Sequence, residues 1–305
     1  MPTFDVIIPA YNAETYLSKC LESVITQDCP DWRIVLVNDG CTDATADIAD
    51  HYQHQLGEKM LIITQKNAGL SAARNAAIRS SSAEFIALLD ADDVWLPCRL
   101  SESLRSFNLR PAAGVSYGLI STIDEQGKVL STFKGNKRDV EGRIAPAIFT
   151  RRVEIPCPSV TIRRSCLDEV GLFDETMRAT EDRDLWLRIA LRYDVAFVPK
   201  VIAHYRSTPN SMSTDMDRML TAQLQFIHKH AGAPGCGPIA RRIAISRLYK
   251  QRAEIFQNRS QRWMALKSSW RACSIWPLSK DNLRTAASLL LRDAYTQAME
   301  RNPGT

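Results

Sequence analysis

Residues 85–93 read Phe85-Ile86-Ala87-Leu88-Leu89-Asp90-Ala91-Asp92-Asp93. The first five residues are all apolar, which is typical of a strand buried on both faces of a parallel sheet. Three carboxylates follow within four positions. Ligands of open α/β sheets lie at the carboxyl ends of strands, and hard divalent cations prefer oxygen ligands. The stretch therefore indicates a cation site at a sheet edge. The alternative is a solvated acidic turn that caps the next helix.

The sequence before this stretch alternates between predicted strands and helices. Apolar runs predict strands over residues 4–9, 32–37, 60–63 and 85–89. Helical spacing predicts helices over residues 15–26, 44–55 and from residue 70 onward. Asp43 is the predicted cap of the second helix. Because strand–helix–strand connections are right-handed, this alternation predicts a doubly wound α/β domain with helices on both faces of a parallel sheet.

Length and composition limit the class of protein. A chain of 305 residues is long enough for one large domain and an appendage. The eight cysteines show neither Cys-x-x-Cys pairs nor zinc-ligand spacing, which favours free thiols in a reducing cytosol. No apolar run approaches the roughly 18 residues of a membrane span, and no signal peptide is recognisable. We therefore expect a cytoplasmic protein, soluble or peripheral on the inner face of the membrane.

Polar side chains at several predicted strand ends have chemistry that suits a nucleotide. Tyr11 could stack on a base, Asp39 could accept a hydrogen bond from a base or ribose, and Arg74 could pair with a phosphate. Each of these residues alone has an ordinary alternative role, as a half-buried aromatic, a turn residue or a helix-surface charge. Four strand ends with compatible chemistry are harder to dismiss.

Seven segments carry a family resemblance. They are residues 6–12 (VIIPAYN), 37–43 (VNDGCTD), 67–75 (NAGLSAARN), 89–93 (LDADD), 158–164 (PSVTIRR), 170–175 (VGLFDE) and 181–186 (EDRDLW). In order and spacing they resemble the inverting family 2 glycosyltransferases with the GT-A fold, of the bacterial surface-polysaccharide type. The resemblance covers about residues 4–213. Its combined motifs are highly specific, whereas one Asp-x-Asp alone would be weak.

The resemblance implies a nucleotide-sugar donor, most often a uridine diphosphate sugar, and a divalent cation, Mn²⁺ or Mg²⁺. Carried over by position, the nucleotide site comprises Pro9, Tyr11, Asn12, Asp39, Lys66, Asn67, Arg74, Asp90 and Ala91. Asp90 would lie near the ribose, and Asp92 would ligate the metal that bridges the diphosphate. Cys41 stands where the family usually has Ser, and we expect the turn to be kept because both residues are small.

A second carboxylate pair opens a strongly apolar helical segment within residues 168–192. Carboxylates at a helix N-terminus are stabilised by the helix dipole, so a structural cap is one interpretation of Glu181 and Asp182. The other interpretation is a general base. The resemblance assigns the base to Asp182 and makes Glu181 its neighbour.

The region on the acceptor side is less informative. We predict a helix from Leu96-Pro97, a strand over residues 114–123, a turn at 124–127, a polar loop over 134–143 and a strand over 196–199. Residues 204–213 resemble the family's closing loop over the diphosphate. Thr208 stands where a His is common, so it stays open whether the metal has a second protein ligand, with His204 nearby in sequence.

The tail differs in kind. Helices are predicted over residues 239–256, 261–275 and 279–299, and their pairing weakly resembles a tetratricopeptide hairpin. From Ile239 onward, thirteen Lys and Arg minus four Asp and Glu give +9, although the whole chain is +5. This asymmetry indicates an anionic partner surface, and Trp263, Trp270 and Trp276 would suit a bilayer interface. The alternative is that the tryptophans belong to a helical core and the charges are merely solvated.

We predict two domains, a GT-A glycosyltransferase over residues 1–214 and an all-helical appendage over residues 215–305. The expected activity is inverting transfer of a sugar to a hydroxyl of a glycan or lipid-linked acceptor. A nucleotidyltransferase, a dinucleotide-dependent oxidoreductase and an inactive nucleotide-sugar-binding scaffold are alternatives. No Gly-x-Gly-x-x-Gly follows the first strand, which argues against a dinucleotide site. An inactive scaffold is expected to lose Asp92 or Asp182, and both are present. No nucleic-acid partner is expected, and a homo-oligomer stays open.

Overall fold

The sheet of this protein begins with the alternation that the apolar pattern predicts. A computed structural model describes residues 2–132, 140–177, 179–208 and 215–289. The strands among them are β1 (Phe4–Ala10), β2 (Trp32–Asp39), β3 (Met60–Gln65), β4 (Phe85–Leu88), β5 (Val94–Trp95), β6 (Ala113–Ile123), β7 (Val129–Thr132), β8 (Thr161–Arg163) and β9 (Asp194–Arg206). The helices are α1 (Leu17–Ile25), α2 (Thr45–Leu56), α3 (Leu70–Arg79), α4 (Arg99–Leu109), α5 (Ala145–Phe149), α6 (Arg164–Val170), α7 (Glu181–Ala190), α8 (Met216–Lys229), α9 (Pro238–Asn258) and α10 (Arg262–Ile275).

The chain divides into two units. The first comprises Met1–Ile148 and Arg152–Thr214, and the second comprises Phe149–Arg151 and Asp215–Thr305. The first unit contains the strands, which form one sheet in the order β3-β2-β1-β4-β8-β6-β9-β5, with β7 paired to β6. The second unit is helical in its described residues.

The first half of the sheet is parallel. β1 pairs in parallel with both β2 and β4, and β3 extends the sheet beyond β2. The chain therefore moves outward from β1 to β3 and then returns to the other side of β1 with β4. Such a reversal opens a crevice at the carboxyl ends of the central strands, where ligands of α/β sheets bind.

The second half of the sheet is mixed. β8 runs antiparallel to both β4 and β6, whereas β9 runs parallel to β6. β5 and β7 are antiparallel additions to β9 and β6. The predicted doubly wound α/β architecture with C-terminal helices is confirmed, and its parallel pairs are concentrated in the half that begins the chain.

The apolar helix predicted within residues 168–192 is confirmed as α7, which begins at Glu181, whereas α6, which ends before Gly171 (φ +77°), was not predicted. Two other local predictions were wrong in detail. β9 runs through Arg206 rather than ending at residue 199, since it pairs with β6 along its length and with β5 near its end. Ala44, not Asp43, occupies the N-cap of α2, and the Asp43 carboxylate instead accepts a hydrogen bond from Thr45 N (3.0 Å).

Helix α8 was missed by the sequence interpretation. Asp215 caps it by accepting hydrogen bonds from Asp217 N and Arg218 N, which is a recognisable start signal. In the same unit, α9 and α10 pack together, and the residues 280–289 are helical. Buried Asn282 donates to Ser246 Oγ (2.7 Å) and to Ala272 O (3.2 Å), which ties three helical segments together. None of the described helices is long and apolar enough to cross a membrane.

The tryptophans of the second unit do not form its core. Trp263 and Trp270 are 78% and 73% exposed, while Trp276 is half-buried. The buried cluster instead contains Phe256, Ala265 and Leu289. The core interpretation is therefore wrong for Trp263 and Trp270.

Candidate active site

Asp39, at the end of β2, organises the loop that follows β3. Its Oδ1 accepts hydrogen bonds from Gln65 Nε2 (2.7 Å) and Ala68 N (2.9 Å), and its Oδ2 accepts one from Gly69 N (2.9 Å). Next to it, a Cβ on Gly40 would lie 2.8 Å from Asn67 N, so only glycine allows the two loops to approach. Asp39, predicted to contact a base or ribose, thus holds the loop that carries Lys66 and Asn67, which are themselves exposed.

The end of β1 is tied to the end of β2. Asn12 has a left-handed φ of +48°, and its Oδ1 accepts a hydrogen bond from Thr42 N (2.9 Å). The Cys41 thiol donates to Ala10 O (3.3 Å) and accepts from Asn12 N (3.4 Å), so Cys keeps the turn as expected. Pro9 is buried within β1, whereas Tyr11 is 55% exposed and presents its ring at the crevice end of the strand.

The acidic turn after β4 concentrates negative charge. Asp90 and Asp92 are half-buried, Ala91 is buried, and Asp93 is fully buried. Burial, and then the charge of Asp90, raises the pKa of the Asp92 carboxyl to about 6. Burial, followed by the charges of Asp92 and Asp90, also raises the pKa of Asp93 well above its usual range. Both shifts come first from burial and then from repulsion between the neighbouring carboxylates, which disfavours their charged forms.

The donor set of this turn fits a divalent cation. It offers carboxylate oxygens, and Asp93 Oδ2 is buried without a hydrogen-bond partner among the described residues. No group of three His, Cys, Asp or Glu side chains in the described ranges could close a metal cage. The turn therefore suits a cation that shares its coordination with substrate phosphates, as Mg²⁺ commonly does. Asp92 as the ligand stays a prediction.

The described contacts of His204 do not assign it to a metal site. It pairs with Val94 in the β5–β9 register, and its Nδ1 is buried without a hydrogen-bond partner in the described chain. Burial, and then the charge of Arg206, lowers the pKa of His204, so the imidazole is neutral near pH 7. A neutral imidazole has the ligand chemistry for a metal, and its role stays open.

Arg74 joins the two halves of the site. It is 2% exposed, and its Nη2 lies 2.7 Å from Asp90 Oδ1 while its Nη1 lies 3.0 Å from Glu181 Oε1. Its guanidinium also stacks 5.3 Å from the centroid of the Phe173 ring. The predicted phosphate-binding residue therefore has carboxylate partners from both motifs. One guanidinium therefore bridges the acidic turn, through Nη2, and the start of α7, through Nη1.

Asn75 holds the same junction through the backbone. Its Oδ1 accepts a hydrogen bond from Phe173 N (3.0 Å), and its Nδ2 donates to Phe173 O (2.9 Å) and Glu175 Oε1 (2.8 Å). The sequence analysis assigned it no role. The available signal was the position of Asn75 beside Arg74 in an Ala-rich helix, since an amide that is buried there needs hydrogen-bond partners.

The start of α7 distinguishes its two leading carboxylates. Glu181 is buried and bound to Arg74, and burial, followed by the charge of Asp182, raises its pKa. Asp182 is half-buried, and its Oδ1 accepts a hydrogen bond only from Arg183 N (2.6 Å) among the described residues. Thr180 precedes them with a left-handed φ of +62°, a strained conformation for a β-branched residue. Asp182 is thus the carboxylate that no described side chain ties down.

Cys157 is a site residue that the sequence analysis missed. Its thiol interacts electrostatically with Arg74, Asp90, Asp182 and Glu181, and burial raises its pKa well above the usual range. A neutral thiol therefore lies among the candidate catalytic groups. Its position directly before the motif at residues 158–164 was the only signal for it in the sequence.

Arg206 does not belong to a loop over the diphosphate. It ends β9, is buried, and donates from its backbone N to Asp93 Oδ1 (2.8 Å) and from its Nε to Asp92 O (2.8 Å). Two further bonds from Nη1 reach Asp124 O and Glu125 O. Arg206 therefore fixes the backbone of the acidic turn. The rest of the predicted closing loop, from residue 209, lies outside the described residues, as do residues 134–139 of the predicted acceptor loop.

Arg74→Ala is expected to weaken donor binding by about 1.5–3 kcal/mol, because Asp90, the predicted ribose contact, loses the charge-assisted bond that holds it. It should also lower the free energy of unfolding by about 3–5 kcal/mol, because two largely buried carboxylates lose their cation. Arg79→Ala is the matched control on the same helix, since Arg79 is 61% exposed and lies 3.4 Å from Glu175. Urea unfolding and calorimetric titration measure both effects. Equal stability of the two variants would contradict this account of Arg74.

Comparisons with known proteins agree with this geometry. Residues 5–169 match the family described as Glycosyl transferase family 2. The chain is 28% identical over 221 residues to TuaG of Bacillus subtilis, named for teichuronic acid biosynthesis, covering 70% of this chain and 82% of TuaG. It is 39% identical over 120 residues to the glycosyltransferase GlyA of Streptococcus pneumoniae, covering 39% of this chain and only 17% of GlyA.

Two solved structures share the fold. Residues 1–349 of S. aureus TarS, crystallised with UDP-GlcNAc, match with a TM-score of 0.68 at 16% identity, over 97% of this chain and 92% of that chain. The mannosyltransferase PcManGT from Pyrobaculum calidifontis, in complex with GDP-Man and Mn²⁺, matches with a TM-score of 0.65 at 17% identity, over 97% and 81%.

Proposed function

Because this chain belongs to glycosyl transferase family 2, we propose that it transfers a sugar, with inversion, from a nucleotide-diphosphate donor to an acceptor hydroxyl. The observation that carries the proposal is the double ion pair of Arg74 with Asp90 and Glu181. It brings the acidic turn of the donor side next to the carboxylates of α7. A transferase needs both groups at one site, because the leaving diphosphate and the attacking hydroxyl react at the same sugar carbon.

The donor nucleotide is assigned to the crevice at the ends of β1, β2 and β4. Tyr11 has the exposed ring for a base, and Asp90 lies where a ribose contact is expected. Lys66 and Asn67 lie on the loop that Asp39 holds. Solved structures of the same fold support this class of donor, since one is a complex with UDP-GlcNAc and another a complex with GDP-Man. A uridine diphosphate sugar is our first choice for this chain.

Asp92 is the proposed ligand of Mn²⁺ or Mg²⁺. Its raised pKa and the unpaired Asp93 oxygen support a cation at the turn. When bound, the metal would neutralise the negative charge that develops on the leaving diphosphate. Arg206 keeps the turn in place by binding the Asp92 carbonyl and the Asp93 carboxylate.

Asp182 is the proposed general base. It would accept the proton of the acceptor hydroxyl as that oxygen bonds to the anomeric carbon on the face opposite the diphosphate. Glu181 is a poorer candidate, because its ion pair with Arg74 occupies one of its oxygens and fixes its side chain. Among the described residues, Asp182 accepts a hydrogen bond from Arg183 N through Oδ1, so its Oδ2 stays available for the proton.

The biological setting is part of the same proposal. We assign the catalytic role to residues 1–214 and an accessory role to residues 215–305. A glycan or lipid-linked acceptor in cell-surface polysaccharide synthesis follows from the relatives, one of which is named for teichuronic acid biosynthesis. The eight cysteines are free thiols, which suits a cytoplasmic protein. Peripheral contact with an anionic membrane is treated in the next subsection.

A thermal-shift screen tests the proposed function. Uridine and guanosine diphosphate sugars should each be compared with and without Mn²⁺, using adenosine diphosphate ribose as a non-cognate control. A donor at about 100 times its dissociation constant raises the unfolding free energy by about 2.7 kcal/mol. The expected result is a melting point several degrees higher with one donor and Mn²⁺ together. Equal shifts for all nucleotides, or none for any diphosphate sugar, would overturn the proposal.

A further inference from the structure

Helix α10 buries its small side chains and exposes its largest ones, which is the reverse of the usual arrangement. Small residues face inward and are buried, namely Ala265, Ser268, Ser269 and Ala272. Trp263 and Trp270, the two largest side chains of the helix, point into solvent and are 78% and 73% exposed. With 3.6 residues per turn, positions 263, 267 and 270 share one face, opposite the buried one. We call Trp263, Lys267 and Trp270 the α10 face.

Further large apolar side chains are exposed in the same unit. Those of its described residues are Ile239, Trp263, Met264, Trp270, Leu278 and Leu283. Met264 lies on α10 itself, next to Trp263 in the chain, and Leu278 lies three residues beyond the end of α10 and is 80% exposed. Exposed apolar side chains that share a helix face are typical of an interaction site.

The same segment is strongly cationic. Between residues 239 and 289, eleven Lys and Arg minus two Asp and Glu give +9. One of the two acids, Glu254, is 3.1 Å from Lys250 and so is already paired. Lys267 is exposed between the two tryptophans, and the exposed Arg271 stacks 4.9 Å from the centroid of the Tyr249 ring. Arg252 is also paired, 2.7 Å from Asp217, but the apolar α10 face still belongs to a segment with a net charge of +9 and carries the exposed Lys267.

We propose that the α10 face docks on an anionic lipid surface. Tryptophan rings suit the headgroup region of a bilayer, and lysine side chains reach lipid phosphates while their aliphatic stems stay in apolar surroundings. A second copy of this chain fits poorly, because two surfaces of +9 would oppose each other. A nucleic acid would use the cations and the aromatic rings, but it leaves exposed Met264 and Leu278 without an apolar partner. The inference rests on the second unit alone and does not depend on the proposed function.

Vesicle sedimentation with the full chain tests this docking. Phosphatidylcholine vesicles with phosphatidylglycerol should bind the protein, and pure phosphatidylcholine vesicles should bind it far less. Binding should fall as salt rises, since the cations act through a screened field. Equal binding to both vesicle types would overturn the proposal.

Variants locate the contact on the helix. Trp263→Ser with Trp270→Ser should lower vesicle affinity roughly tenfold or more, because both interfacial rings are removed. Lys267→Glu should lower it roughly fivefold or more, the change equivalent to about 1 kcal/mol per cation near the surface. Leu109→Ser and Lys128→Glu are matched controls in the first unit, since Leu109 is 77% exposed and Lys128 is exposed. Both controls should bind like the wild type.

Further readouts separate other occupants of the face. The exposed positions should tolerate substitution, so unchanged circular dichroism and melting temperature verify folding. Wild-type vesicle affinity in the double tryptophan variant would overturn the proposal. Two further results would overturn it. One is a wild-type dimer that dissociates in the double tryptophan variant. The other is oligonucleotide binding that requires the tryptophans and that vesicles do not displace. Acrylamide should quench Trp263 and Trp270 in the free protein, and protection of both would show that the chain itself covers them.

Discussion

Asp182→Asn is expected to lower turnover by roughly 10²–10⁴, the usual contribution of general-base catalysis. An acceptor hydroxyl is a poor nucleophile until a base begins to take its proton. Inversion requires that base on the face of the sugar opposite the leaving diphosphate. In the proposed arrangement the acidic turn after β4 lies on the diphosphate side, so the base must come from another element. Glu181-Asp182 at the start of α7 supply the carboxylates.

The amide of Asn keeps the shape of Asp182 but cannot accept the proton. Donor affinity should be nearly unchanged, because the nucleotide residues belong to other elements. Initial rates with saturating donor, together with the dissociation constant of the donor, separate the two effects. A variant that loses turnover and donor affinity together would indicate a damaged site instead of a missing base.

Glu181→Gln is the discriminating partner of this experiment. Gln keeps one hydrogen-bond acceptor for Arg74 but loses the ion pair at 3.0 Å, so a smaller decrease in turnover is expected, with some loss of stability. Asp184→Asn serves as a further control in the same helical turn, because Asp184 is buried and bound by Arg188 (2.8 Å). If Asp182→Asn is active and Glu181→Gln is dead, the base is Glu181. If both are active, the base belongs to a different element.

The sequence predicted the elements whose signals are local. The apolar runs of β1, β2 and β4 and the polar residues directly after them can be read within about ten residues. Parallel pairing then requires their carboxyl ends to meet at one edge. The crevice, the acidic turn and the family could therefore be predicted before any coordinates.

Contacts between distant residues could not be predicted in this way. Arg74 and Glu181 are 107 positions apart, and no periodicity shows that one guanidinium binds both Glu181 and Asp90. The length of β9 is set by its pairing with β6, and the strand propensity of residues 196–199 carries no information about that pairing. The sequence left the tryptophans of α10 open between a bilayer interface and a helical core, because their exposure departs from the rule that large apolar side chains face inward.

Removal of divalent cations is expected to abolish transfer, with a loss of roughly 10²–10³ or more, equivalent to several kcal/mol of transition-state stabilisation. Asp92→Asn should reproduce most of this loss and remove the metal-dependent part of donor affinity. Asp47→Asn, which removes an exposed carboxylate on α2, should have no effect. Activity assays in EDTA, followed by titration with Mn²⁺ or Mg²⁺, measure the loss and its recovery.

The pH dependence of cation affinity gives an independent test of the same residue. Burial, and then the charge of Asp90, raises the pKa of Asp92 to about 6, so protons compete with the cation below that pH. Apparent cation affinity should therefore fall up to about tenfold per pH unit as the pH decreases below 6, and it should level off above about 7. In Asp92→Asn this dependence should weaken, because the titrating carboxyl is absent. Full activity of metal-free protein in chelator would show that cationic or hydrogen-bonding groups elsewhere neutralise the leaving diphosphate, and Asp92 would then lose its assigned role.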